Sequence, residues 1–128
     1  GPVKDVFIQN NIFIDCAYNG GPEYAVIALN PSNTIIDAAH PVHRNVRIIG
    51  NTFQTFGNPV LYAKSTEGLV FKDNKVTSTL SPGDALQKPV FILNGSKNVT
   101  IKGNILKGTF RENIVFRNMK KEFIKTDL

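Results

Sequence analysis

Four segments of this 128-residue chain repeat one pattern: two apolar residues two apart, a short turn carrying Asn, then another apolar residue. They are VFIQNNIF (residues 6–13), VRIIGNTF (46–53), LVFKDNKV (69–76) and VTIKGNIL (99–106). Such self-similarity marks stacked units, each of which buries its apolar face only against its neighbours. The apolar period is two, and Val, Ile and Phe are frequent, so the units are built of strands rather than helices. The pattern predicts an all-β fold, a right-handed parallel β-helix. This is a single-stranded solenoid of about five coils, filling residues 1–128 as one domain.

In such a coil three strands follow one another, and corresponding strands stack about 4.8 Å apart. Taking the Asn turn as the joint between a second and a third strand, second strands begin near Val6, Val46, Leu69 and Val99. Third strands follow around Phe13, Phe53, Val76 and Leu106. First strands fall at AVIAL (25–29), PVLYA (59–63) and PVFIL (89–93). In the tail, residues 114–116 read as a first strand and residues 123–124 as the last second strand. Successive second strands are then 40, 23, 30 and 24 residues apart. A bare coil takes 23 of these, and the longer spacings place inserted loops at about residues 15–24, 30–44 and 79–88. Gly20-Gly21-Pro22 and Ser81-Pro82-Gly83-Asp84 fall where the ladder should break. Val46 and Ile48, Leu69 and Phe71, and Val99 and Ile101 should point inward. The first strands are apolar on both faces, so their outer face should be covered as well.

Asn11, Asn51, Asn74 and Asn104 occupy one repeat position. A tight corner needs a residue that tolerates left-handed backbone geometry, which Asn does, and stacked amides can bond from coil to coil. Asn10, Gly50, Asp73 and Gly103 immediately precede them and are also turn-compatible. These positions therefore read as scaffold rather than ligand contacts, Asp73 included. The sequons at Asn94 and Asn98 are too common by chance to carry weight.

Charge is uneven along the chain. Residues 1–64 hold four Lys/Arg against four Asp/Glu, whereas residues 65–128 hold eleven against six and carry the whole excess of +5. A basic excess suggests nucleic acid or an acidic polysaccharide. The lysines are spread along strands and turns, with no aromatic interleaving and no tight run beyond Lys120-Lys121, which argues against nucleic acid. No apolar run approaches a membrane span, so no membrane partner is expected. Cys16 is the only cysteine and is expected to pack as a small buried hydrophobe. Gly1-Pro2 reads as a protease scar, so a longer parent protein is expected.

Glycoside hydrolysis needs two carboxyl groups, roughly 6.5–9.5 Å apart for inversion or about 5–5.5 Å for retention. None of the ten carboxylates recurs one coil later at the same position by design. Asp15, Asp37 and Asp84, each in an inserted loop, are the candidates, weighed against the ordinary solvated loop carboxylate. His40 and His43 flank Pro41-Val42, but two histidines without a third ligand do not make a metal site, and a packing role fits them better. No metal and no cofactor is expected. Neither a phosphate loop, a nucleophile elbow nor a Cys/His cluster is present.

Within residues 25–76, the HRNVRI segment (43–48), the Asn-Thr-Phe turn and the PVLYAKS strand (59–65) resemble the β-helix of glycoside hydrolase family 110. The resemblance implies the C-terminal portion of a bacterial, exo-acting, inverting, metal-independent α-1,3-galactosidase. Its partner would be a galactose-containing oligo- or polysaccharide. It implies a periplasmic or secreted location and a fragment that is inactive alone, since the family's catalytic aspartates match no position here. The alternatives are a polysaccharide lyase and a non-catalytic adhesive or carbohydrate-binding module. Lyases commonly recruit calcium through clustered acids, and no such cluster is visible. With no Trp and three Tyr, the chain has few ring platforms for sugar. A cut-out stack exposes apolar ends and unpaired edges, so self-association is expected.

Overall fold

The computed structural model describes residues 2–16, 25–80 and 88–128. Among the described residues thirteen strands form three parallel sheets. The second strands make the five-stranded sheet: β1 (Lys4–Gln9), β4 (His43–Ile49), β7 (Thr66–Lys72), β10 (Lys97–Lys102) and β13 (Ile124–Thr126). Third strands β2 (Ile12–Ile14), β5 (Thr52–Thr55), β8 (Lys75–Ser78) and β11 (Ile105–Lys107) stack in one four-stranded sheet. First strands β3 (Ile27–Leu29), β6 (Leu61–Lys64), β9 (Phe91–Asn94) and β12 (Ile114–Arg117) make the other. Each strand pairs with the strand one coil away, and the fold is a right-handed parallel β-helix.

Register places like on like. Val6, Val46, Leu69, Val99 and Ile124 form one inward column, and Ile8, Ile48, Phe71 and Ile101 form another. Val46, Ile48, Leu69, Phe71 and Ile101 are fully buried and Val99 nearly so, as their alternation requires. Phe13, Phe53, Phe71 and Phe91 fill the lumen as a chain of rings, with centroids 4.9, 5.6 and 4.9 Å apart in turn. The double apolar face of the first strands is also explained. Leu61, Ala63, Phe91 and Leu93 face the lumen, while Tyr62 and Ile92 join Ala25 in a second buried cluster on the opposite side.

At the corner between second and third strands the left-handed residue is the one before the repeat asparagine. Asn10, Gly50, Asp73 and Gly103 have φ of 58°, 70°, 55° and 68°. This corrects the assignment of left-handed geometry to the repeat asparagines, which are freed to present their amides. Asn11 N and Nδ2 both donate to Asn51 Oδ1, at 2.8 and 3.2 Å. Asn51 N and Nδ2 donate to Asn74 Oδ1 at 2.7 and 3.1 Å, and those of Asn74 donate to Asn104 Oδ1 at 2.9 and 3.2 Å. The second amide hydrogens turn inward to strand carbonyls, from Asn51 to Ile8 and from Asn74 to Ile48 at 2.9 Å each.

Three details differ from the sequence reading. The second strands start earlier, at His43, Thr66 and Lys97, because left-handed Asn45, Gly68 and Asn98 kink the backbone without ending the pairing of Arg44, Glu67 and Lys97. In the tail, Ile124 rather than Phe123 pairs with Val99, because a 3-10 turn at Lys121–Phe123 takes up the extra chain. Cys16 is half-buried, its thiol directed at the Ile14 carbonyl at 3.7 Å.

Asn74→Ala should cost about 2–4 kcal/mol in urea unfolding, because it strips the acceptor from two buried Asn51 donors and the donor from Ile48. Asn11→Ala, at the exposed first rung, should cost about 1 kcal/mol or less. Equal losses would contradict the ladder.

Candidate functional site

Among the described residues the first-strand sheet ends at β3, whereas β1 and β2 continue the other two sheets one rung further. Beside β3 lies a cleft of about 570 Å³, lined by Val3, Leu29, Asn30, Asn33, Val42 and His43 among others. Its floor is apolar because Leu29 packs against the core cluster. Its polar groups come from the loop that leaves β3 and from His43 at the start of β4.

That loop, residues 30–42, is tied to the corner between first and second strands. Lys64 Nζ donates to the Pro31 carbonyl at 2.9 Å, and Asn33 Nδ2 donates to Ser65 Oγ at 2.9 Å. The amides of Val42 and His43 both reach the Ser65 carbonyl, at 2.7 and 3.1 Å. Further down, the loop crosses Gly95 so closely that a Cβ there would sit 3.1 Å from the Asp37 nitrogen. Ser65, Gly95 and Asn118 share this corner and all have positive φ. The sequence reading missed this second column of left-handed residues, although LYAKS, FILNG and IVFRN end in Ser, Gly and Asn in register.

His43 is buried on β4, and its Nδ1 accepts the Val3 amide at 3.0 Å, which fixes the neutral ring with its proton on Nε2. Burial, the leading cause, lowers its pKa below the ordinary histidine value. His40 instead lies exposed on the loop, with Nδ1 2.6 Å from Asp37 Oδ1. That bond holds the Asp37 carboxyl below the usual carboxylate range. Asp37 also caps the Ala39 amide at 2.9 Å. Asp15 ends β2 in a left-handed turn, exposed, with its amide on the Gln54 carbonyl at 2.9 Å. Asp15 thus lies at the end of β2 and Asp37 in the loop between β3 and β4. Asp84 lies outside the described residues, as do Gly20-Gly21-Pro22 and Ser81-Pro82-Gly83. Among the described residues no three His, Cys, Asp or Glu side chains gather as a metal site. Glu67, on the outer face of β7, is occupied by Arg44 at 2.7 Å and Lys97 at 3.9 Å.

Stacked parallel rungs, corner amides and a ring-filled lumen define a right-handed parallel β-helix solenoid. No protein-family model matches the chain. Over 100% of its length it is 56% identical to an α-1,3-galactosidase A of Bacteroides fragilis, covering 22% of that protein. An α-1,3-galactosidase B of Bacteroides thetaiotaomicron is 34% identical over 98% of the chain and 21% of its own length. An α-1,3-galactosidase A of Streptomyces avermitilis is 35% identical over 81% of the chain. The family resemblance read from residues 25–76 is borne out and extends along the whole chain, which is a homologue of one segment of α-1,3-galactosidases. The chain spans about a fifth of the length of the curated relatives it matches first.

The lowered His43 pKa has a defined pH consequence. The folded state binds fewer protons than the unfolded one below about pH 6.5, so stability is full above that value and falls as the pH drops toward the folded pKa. His43→Asn, which offers an acceptor near the Nδ1 position, should flatten the fall in melting temperature between about pH 6.5 and 5. An unchanged pH profile in the variant would remove His43 as its source.

Proposed function

We propose that this chain is the scaffold portion of a longer glycoside hydrolase that removes terminal α-1,3-linked galactose from glycans. The identity of 56% across the full chain carries the reading, since it spans strands, corners and loops alike. The parent acts from chain ends, inverts the anomeric centre and uses no metal, and its carboxylate pair lies outside these coils. The segment adds rungs to the helix and is inactive alone. Its substrate is a galactose-containing oligo- or polysaccharide met in the periplasm or outside the cell. The test compares the full-length protein with the 128-residue chain on an α-1,3-linked galactose disaccharide. The whole protein should release galactose, appearing first as the β-anomer by proton NMR and unaffected by EDTA, while the chain alone releases none. An α-anomer first would overturn inversion, and release by the chain alone would place the chemistry here. Unsaturated, ultraviolet-absorbing products would make the parent a lyase.

The isolated chain should also self-associate through its first rung. Strands β1, β2 and β3 end their sheets, and Phe7, Ile12 and Ile14 on that rung are 60%, 72% and 58% exposed. Unpaired edges of this kind recruit further strands. Sedimentation velocity should show oligomers growing with concentration, and a monomer throughout would sink the idea.

A further inference from the structure

The β3 cleft lies where the repeat calls for a strand. β1 and β2 carry the second-strand and third-strand sheets onto the first rung, but among the described residues the first-strand sheet has no member there. The cleft runs along that edge of β3, between it and Pro2 and Val3. Burial along the sheet records the difference. Ala28 is exposed and Leu29 half-buried, whereas their register partners Tyr62 and Ala63 on β6, and Ile92 and Leu93 on β9, are buried. β6 and β9 have a strand on both sides, and β3 on one. The polypeptide that feeds β1 also passes through this place. Val3 lines the cleft and is fixed at both ends, its amide on His43 Nδ1 at 3.0 Å and its carbonyl on the Arg44 amide at 3.1 Å. Two rungs on, a single residue, Ser65, separates β6 from β7, so a first strand feeds straight into the second strand of its coil.

We propose that the β3 cleft is the seat of an extended first strand, paired in parallel with β3 and contributed by the stretch of the parent protein that leads into Pro2. The inference rests on the reading that this chain is part of a longer protein, 22% of the length of its Bacteroides fragilis relative, and not on the reaction that protein performs. The lining sets the chemistry of the occupant. Val3, Leu29 and Val42 are apolar, and among the described residues no Lys, Arg, Asp or Glu lines the cleft. The strand is therefore uncharged where it faces the lumen, in the manner of PVLYA (59–63) and PVFIL (89–93). Strand addition to a sheet edge gains affinity from main-chain bonds and selectivity from the alternate side chains. A second copy of the chain does not fit the same place. β12 stacks on β9 and β13 on β10, so β12 and β13 share a rung. With its β13 stacked on β1, a second copy would hold its β12 two rungs from β3, about 10 Å away, and one strand would still be needed between them. The opposite edge of the sheet, at β12, lacks such a wall, because no neighbouring strand runs one rung beyond it among the described residues.

The experiment uses the full 128-residue chain, the full-length protein, and a labelled synthetic peptide copying the chain's own first strand PVLYAKS (59–65). Hydrogen exchange read by mass spectrometry should slow about tenfold or more at Ala28 and Leu29 when the peptide is added to the chain, and by as much in the full-length protein without peptide. Fluorescence anisotropy gives the affinity. The same peptide with Leu61→Asp, which would carry a carboxylate into the lumen, should bind about tenfold more weakly or worse. Ala28→Glu in the chain should weaken the unaltered peptide by a similar factor of about ten, because the added charge would be covered by the docked strand. Ala28 is exposed, so that variant should keep the melting temperature of the isolated chain. No binding at millimolar peptide, protection at β12 in place of β3, or equal affinity in either variant would overturn the site. Exchange at Ala28 and Leu29 as fast in the full-length protein as in the isolated chain would overturn the parent's own strand as the occupant. None of these readouts uses galactose release, so failure of the docking and failure of the proposed activity are told apart.

Discussion

The amide column at the corner between second and third strands is the contact on which the rest of the stack depends. At that corner the backbone must leave one sheet and enter another, and its N–H groups would lose their ladder partners while still buried. Asn51 and Asn74, each 1% exposed, meet this need with their own side chains. Each accepts two hydrogens from the coil above and sends one back to a strand carbonyl. A buried donor left without a partner costs more than an ordinary hydrogen bond contributes, so the column fixes rung spacing and register together. With register set, the inward columns of Val, Ile, Leu and Phe follow without further specification.

The same logic explains where the stack tolerates loops. Residues 30–42 leave and re-enter next to Ser65, and the loop is pinned by side-chain and main-chain bonds to that one corner rather than by contacts to the lumen. A long insertion therefore changes the surface without changing the rungs. It also lines the β3 cleft, so that space comes from an insertion at the edge of the repeat. The segment is shared by galactosidases that are 34–36% identical to it.

Chemistry was far less legible than architecture. Asp15, Asp37 and Asp84 were chosen because loops concentrate function, but a loop address carries no distance. Asp37 turned out to be engaged by His40 and the Ala39 amide, and Asp15 to occupy a left-handed turn. The His40 and His43 pair separated for a similar reason: one lies on the loop and the other on the strand it feeds.

By itself the amino-acid order determined the coil. The period-two apolar pattern and the recurring Asn are local, and a solenoid repeats local structure, so counting residues was enough to place all three sheets. Tertiary structure alone decided which corner residue takes the left-handed backbone and which lends its amide. It decided how a 3-10 turn shifts Ile124 onto Val99, and which charges are compensated. Those outcomes depend on contacts between neighbouring rungs, and such contacts exist only once the rungs are stacked.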